Sequence, residues 1–222
     1  MQRPTRTALG ASLAALALLL GITIGLAWRF LEPQPALRLP PGVSLEFAQL
    51  EALNALPGFA LPQRGGVLRN ADLQGRWSFF FFGYTNCPDA CPTTLGILSH
   101  VQQELRSRGQ EPPRVVLVSL DPQRDTPEVL ERYTRAFAVD TADAVIGTSG
   151  TPEQLRALQA FFGVRTERRP GADPAHYSFD HTTNFFLVTP DGRWLASFPP
   201  AEDPDSILED TEKLLALPLP AA

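Results

Sequence analysis

Apolar positions along the chain fall into short unbroken runs separated by stretches in which they recur every three or four residues. Trp77-Ser78-Phe79-Phe80-Phe81-Phe82 is continuous and too short for a self-capped buried helix, so it predicts a central strand covered on both faces. Val115-Val116-Leu117-Val118-Ser119-Leu120 predicts a second such strand, and Ala144-Val145-Ile146 a shorter third. Between the first two, Leu95, Leu98, Val101 and Leu105 keep helical spacing, which predicts a helix over 93–108 closed by Gly109. Thr126-Pro127-Glu128 and Thr151-Pro152-Glu153 each open a helix with proline at its first position. Asn184–Val188 and Trp194–Phe198 flank Pro190-Asp191-Gly192, a strong hairpin signal. Phe59–Leu61 and Gly66–Leu68 bracket a smaller hairpin, and residues 205–217 end the chain as a helix. Residues 45–56 read equally well as a short helix or as irregular chain.

Strands alternating with helices, then a hairpin and a last helix, give an α/β domain with a mixed central sheet flanked by helices. The order of elements resembles a thioredoxin-type fold, with more chain between residues 121 and 180 than a minimal version needs. A different signal stands at the N-terminus. Ala8 to Trp28 holds 21 consecutive residues without a charge, about 31 Å as a helix, enough to cross a bilayer. A cleaved signal peptide is the rival reading; the run is longer than usual for one, and Trp28, Arg29 and Phe30 stand where small residues would be needed. Arg3 and Arg6 before the run, against Arg29 after it, favour an N-terminus in the cytoplasm. The expected organisation is therefore an N-terminal transmembrane helix within 1–28, a proline-rich linker over 29–54 and a domain over 55–222. The chain would be a single-pass inner-membrane protein with its domain in the periplasm.

Composition narrows the partners. Basic residues number 19 and acidic 24; without Arg3, Arg6 and Arg29 the balance is 16 against 24, or −8. Such a domain has no electrostatic footprint for nucleic acid or for an anionic membrane surface.

Candidate chemistry centres on the only two cysteines, Cys87 and Cys91, in Thr85-Asn86-Cys87-Pro88-Asp89-Ala90-Cys91-Pro92. In a helical turn, side chains four apart are neighbours, close enough for a disulfide or for sharing one metal ion. With Pro92 opening the next helix, Cys91 sits near a helix N-terminus, where exposed N–H groups favour thiolate over thiol. The pair is then a redox couple or a soft metal site. A structural disulfide is the plainer alternative, but so short a loop constrains the unfolded chain little. Of three histidines, His100 reads as surface or packing and His176 as solvated. His181 lies just before the strand 184–188, at a junction that faces the cysteine loop in a thioredoxin-type fold. Two thiolates and an imidazole suit copper, whereas zinc favours a fourth ligand.

Three segments together carry a resemblance to a known family. They are Phe82-Gly83-Tyr84-Thr85-Asn86-Cys87-Pro88-Asp89-Ala90-Cys91-Pro92, Ser119-Leu120-Asp121-Pro122-Gln123-Arg124-Asp125-Thr126-Pro127, and Asp180-His181 with the Pro190-Asp191-Gly192 hairpin. Over roughly residues 55–218 the chain resembles the Sco/SenC copper proteins of cytochrome oxidase assembly. Ala90 stands where a larger aliphatic residue is common, and Asn86 at a variable position; neither removes a ligand. The resemblance implies one copper, Cu(I) and in some members Cu(II), held by Cys87, Cys91 and His181. It implies a metallochaperone rather than an enzyme, serving the CuA site of cytochrome c oxidase subunit II, and other periplasmic copper carriers or thiol oxidoreductases as further partners. It also suggests that Asp180 orients the His181 ring. Asp121 reads as a turn cap outside the site. The competing function is thiol–disulfide oxidoreductase through Cys87 and Cys91. That class usually carries C-x-x-C and a proline before the facing strand, where this chain has Asp180-His181-Thr182-Thr183.

Overall fold

The computed structural model describes residues 38–138, 145–172, 176–200 and 203–220, together with Gly21 and Thr23. The expected membrane span over 8–28 otherwise lies outside these residues, and among the described residues no helix is long and apolar enough to cross a membrane.

In chain order the elements are β1 (Gln49–Leu50), β2 (Ala60–Gln63), β3 (Gly66–Arg69), β4 (Ser78–Gly83), α1 (Ala90–Ser107), β5 (Arg114–Ser119), α2 (Pro127–Thr134), β6 (Val145–Thr148), α3 (Pro152–Phe162), β7 (Thr166–Pro170), β8 (Tyr177–His181), β9 (Phe185–Val188), β10 (Trp194–Phe198) and α4 (Pro204–Leu215). Eight strands form one mixed sheet in the order β1-β10-β9-β4-β5-β6-β2-β3. β4, β5 and β6 run parallel, and β9 returns antiparallel on the other side of β4.

The run of phenylalanines explains why β4 is central. Side chains alternate across a strand, so Phe79 and Phe81 enter one core while Phe80 and Phe82 enter the other; all four are fully buried. The first core is closed by α1 and α4, through Leu95, Leu98, Val101, Ile207 and Leu214. The second is closed by α3, through Leu155, Leu158 and Phe162. Helix starts follow the proline signals: Thr126, Thr151 and Asp203 accept backbone hydrogens at the N-termini of α2, α3 and α4, each with proline in its first turn. The expected fold class therefore stands for the described domain.

Two expectations need correction. The first is the linker boundary: the described residues from 38 onward belong to one compact unit, and the chain joins the domain well before residue 55. β1 pairs with the edge strand β10, Ala48 and Leu53 are buried, and the carboxylate of Asp210 on α4 accepts the backbone N–H groups of Glu46, Phe47 and Ala48 at 2.8–3.0 Å. Proline content marks an extended chain but cannot show where apolar residues first find a surface. The second is the stretch Tyr177–His181, for which no strand was expected: it forms β8, and His181 ends it, just before β9 and facing the cysteine loop as expected. β7 and β8 form a separate antiparallel ribbon, pairing Thr166 with His181 through Pro170 with Tyr177.

Candidate metal centre

The thiols are placed by the end of β4. Gly83 is its last residue, Tyr84 to Asp89 make the loop, and α1 starts at Ala90, so Cys91 lies in its first turn. Cys87 precedes the helix, its N–H donating to the Tyr84 carbonyl at 3.2 Å. The N–H of Cys91 in turn donates to Cys87 Sγ at 3.4 Å. Glycine at 83 permits this approach, because a Cβ there would stand 2.7 Å from Cys91 Sγ.

His181 arrives from the ribbon, its Nε2 3.8 Å from Cys91 Sγ. The two sulfurs and a ring nitrogen all lie within 4.8 Å of one another, with Cys91 buried and the other two half-buried. Among the described residues this is the one group of three His, Cys, Asp or Glu side chains close enough to share an ion. Both cysteines are free thiols. His181 Nδ1 is 2.9 Å from the Thr182 carbonyl. A carbonyl only accepts, so Nδ1 carries a proton and Nε2 is the atom offered to the sulfurs. The rings of Phe81 and Tyr84 meet the imidazole edge-on, with centroids 6.3 and 5.9 Å away.

The two thiols are electrostatically unequal. A hydrogen bond from Cys91, helped by the backbone of Cys91 and Asp89, holds Cys87 well below the ordinary thiol range against the opposing effect of its burial. The same hydrogen bond, with burial, pushes Cys91 up. The two sulfurs thus bias each other in opposite directions, Cys87 toward thiolate and Cys91 toward thiol.

Sequence reasoning and geometry part company at four residues, the first being Cys91, whose place at the start of α1 predicts a thiolate although the bond to Cys87 and burial push its thiol up. Asp180 does not orient His181: adjacent residues on a strand face opposite ways, and its carboxylate is exposed and paired with Arg169 Nε at 2.7 Å. The backbone of Thr182 takes that role. Asp121 is more than a turn cap, for its buried carboxylate accepts Tyr177 Oη at 2.8 Å and Arg124 Nε. Asp125 was missed altogether. Fully buried, it accepts Thr85 N at 3.1 Å, Thr85 Oγ1 at 2.5 Å and Ser119 Oγ at 2.6 Å, tying the cysteine loop to the end of β5. Its signal was a second carboxylate four residues after Asp121, directly before the Thr126 helix cap. His100, beside Asp205 at 3.5 Å, and His176 stay outside the centre.

Comparison with known proteins agrees with this arrangement. A family model described as SCO1/SenC matches residues 49–216. The mitochondrial SCO2 homolog of Bos taurus is 29% identical over 157 residues, 70% of this chain and 58% of that protein, so the chain spans under three fifths of that relative's length. The solution structure of apo Sco1 from Thermus thermophilus is 36% identical and superposes with a TM-score of 0.61, covering 74% of this chain and 94% of that one. Bradyrhizobium japonicum ScoI, solved with copper bound, is 30% identical with a TM-score of 0.62, covering 72% of this chain and 99% of that one. With more than half its length matched and its free dithiol and histidine converging as the motifs imply, the chain belongs to the SCO1/SenC family.

Proposed function

We propose that the protein is a membrane-anchored periplasmic copper chaperone that carries its ion on Cys87, Cys91 and His181 and passes it to the CuA site of cytochrome c oxidase subunit II. The observation that carries this reading is the convergence of two sulfurs and one imidazole nitrogen within 4.8 Å. Thiolates select Cu(I), the imidazole accommodates either oxidation state, and three protein donors leave a position for an incoming ligand. Family membership supports the oxidase as destination, and the uncharged run over 8–28 supports the anchor.

This chain's residues would act as follows. Cys87 offers a thiolate at the half-exposed side of the site, and Cys91 releases its proton as the ion arrives. Nε2 of His181 supplies the third donor, its ring held by the Thr182 carbonyl. Transfer proceeds by ligand exchange through the Cys87 side, because Cys91 is enclosed.

The test is Cu(I) stoichiometry of the reduced, anaerobic full chain against a competing chelator, followed by loading of metal-free subunit II. One retained copper, weakened in His181→Ala and lost in Cys87→Ser, is expected; no chelator-resistant copper in the wild type would sink the proposal. The unequal thiols favour a second reading, thiol–disulfide exchange with Cys87 as nucleophile and Cys91 as resolving thiol. That reading predicts turnover of a disulfide substrate that survives His181→Ala.

A further inference from the structure

His181 is brought to the thiols by a ribbon that shares no ladder with the main sheet: β8 pairs only with β7 among the described strands. A two-stranded ribbon is marginally stable by itself in water, so its register over the thiols must be held by contacts to the body. Tyr177, Phe179 and His181 lie on one face of β8 by the alternation of strand side chains, and they are half-buried where Ser178 and Asp180 are exposed. Near the thiols, Tyr84 holds this face, its Oη accepting the N–H of Phe179 at 3.2 Å. The far end is held at Tyr177. Its hydroxyl donates to Asp121 Oδ1 at 2.8 Å, and its carbonyl accepts Arg124 Nη1 at 3.1 Å. The Arg124 guanidinium lies 3.6 Å from the centroid of its ring, and Arg168 of β7 lies 3.8 Å from it. Asp121 and Arg124 also pair with each other. The loop that supplies both carries Asp125 as well, which grips Thr85, two residues before Cys87. One loop, 121–125, thus holds the thiol segment with one carboxylate and the histidine ribbon with another.

We propose that Asp121, Arg124 and Tyr177 are positioning residues that act through the ribbon to set how far His181 Nε2 stands from the sulfurs, and so decide whether an ion is held by three donors or by two. The inference rests on the copper reading above. Tyr177 and His181 are four residues apart, about 13 Å along a strand, so the clamp itself touches no metal. Releasing it frees the ribbon to pivot about Tyr84 and withdraws the imidazole while the dithiol stays in place. The dithiol suffices for Cu(I), whereas Cu(II) depends more on the imidazole, so the two ions should respond unequally.

The test uses Tyr177→Phe, which keeps the ring and removes the hydroxyl, in the full chain, alone and combined with His181→Ala. Retention of Cu(I) and of Cu(II) against chelators is measured for each, and the proton–proton contact between the His181 ring and Cys91 is followed by NMR in reduced, metal-free protein. The expected result is about tenfold weaker Cu(II) retention, a smaller change for Cu(I), and no further loss once His181 is alanine. The His181–Cys91 contact should weaken without metal. Equal losses in both backgrounds, or undiminished Cu(II) retention with His181 present, would overturn the proposal. If the wild type retains neither ion, the copper reading falls separately and the metal-free contact decides: unchanged in Tyr177→Phe it refutes the clamp, weakened it supports it. Arg124→Lys, which keeps the charge and loses the guanidinium fork, provides the same comparison should Tyr177→Phe fail to fold.

Discussion

Replacing Gly83 with alanine adds a single methyl group at the floor of the centre. That Cβ would stand 2.7 Å from Cys91 Sγ, 3.0 Å from Phe81 Cε1 and 3.4 Å from Leu117 Cδ1. Comfortable contacts lie at about 3.5–4.0 Å, so the sulfur must retreat by about 1 Å. The edge of the Phe81 ring can tilt, but Cys91 is fully buried in the first turn of α1 and has nowhere to go without moving the helix. Backbone strain plays no part, since Gly83 is not among the positive-φ glycines. Overpacking of this kind costs about 1–3 kcal/mol, offset by about 0.5–1 kcal/mol from placing alanine instead of glycine in a strand. The net expectation is about 0–2.5 kcal/mol lost in urea unfolding of the reduced, metal-free protein, with a central value of about 1 kcal/mol. A displacement of about 1 Å in one of three donors should also weaken Cu(I) retention about 10–100-fold. The Cys91→Ala background is the internal control, because removing the sulfur should remove most of the stability loss. A Gly83→Ala protein whose stability and copper retention match the wild type would refute the argument, as would an equal loss without the sulfur.

Other consequences follow from the same geometry. Asp125→Asn loses the charge on three hydrogen bonds that tie the cysteine loop to β5; about 1.5–3 kcal/mol should be lost in denaturant unfolding, with faster amide exchange at Thr85. Asp210→Ala strips the acceptor from three backbone N–H groups at 46–48, and about 3 kcal/mol should go with it; hydrogen exchange should accelerate there first. The lowered Cys87 thiol keeps its thiolate as pH falls below the ordinary thiol range and loses it only on passing the lowered value. Iodoacetamide labelling of Cys87 should therefore stay nearly constant from about pH 8 to about pH 6, where an ordinary thiol slows about tenfold per unit. Cys91 should label slowly throughout, and a steep pH dependence at Cys87 would contradict the opposite bias of the two sulfurs.

Elements that bury both faces, or that carry caps and turns of strict chemistry, are legible in the sequence alone. The four phenylalanines of β4, the Thr-Pro-Glu helix starts and the Pro190-Asp191-Gly192 turn each state their role in a few residues. The β7–β8 ribbon was not legible, because every residue of β7 is exposed and charged side chains satisfy no apolar period. β1 is two residues long and exists only because β10 offers an edge. In the centre, Cys87, Cys91 and His181 could be named because their chemistry is rare in this chain, whereas Asp180 misled because adjacency in sequence was read as adjacency in space. The alternation Tyr177-Ser178-Phe179-Asp180-His181, apolar or aromatic at every second position, held the answer and places His181 with the two aromatics.

The burial of β4 on both faces has a consequence for how quickly the centre can work. Its last residue is the floor beneath Cys91, so that donor rests on a strand buried on both faces, whereas Cys87 lies on a loop and His181 on the separate ribbon. The strand beneath Cys91 is already packed in the metal-free protein, so ordering it adds no entropic cost to binding at that donor. Under the proposed function, the pace of handing over an ion would be set by motion of the loop and ribbon donors about the fixed Cys91, and not by rearrangement of the sheet beneath it.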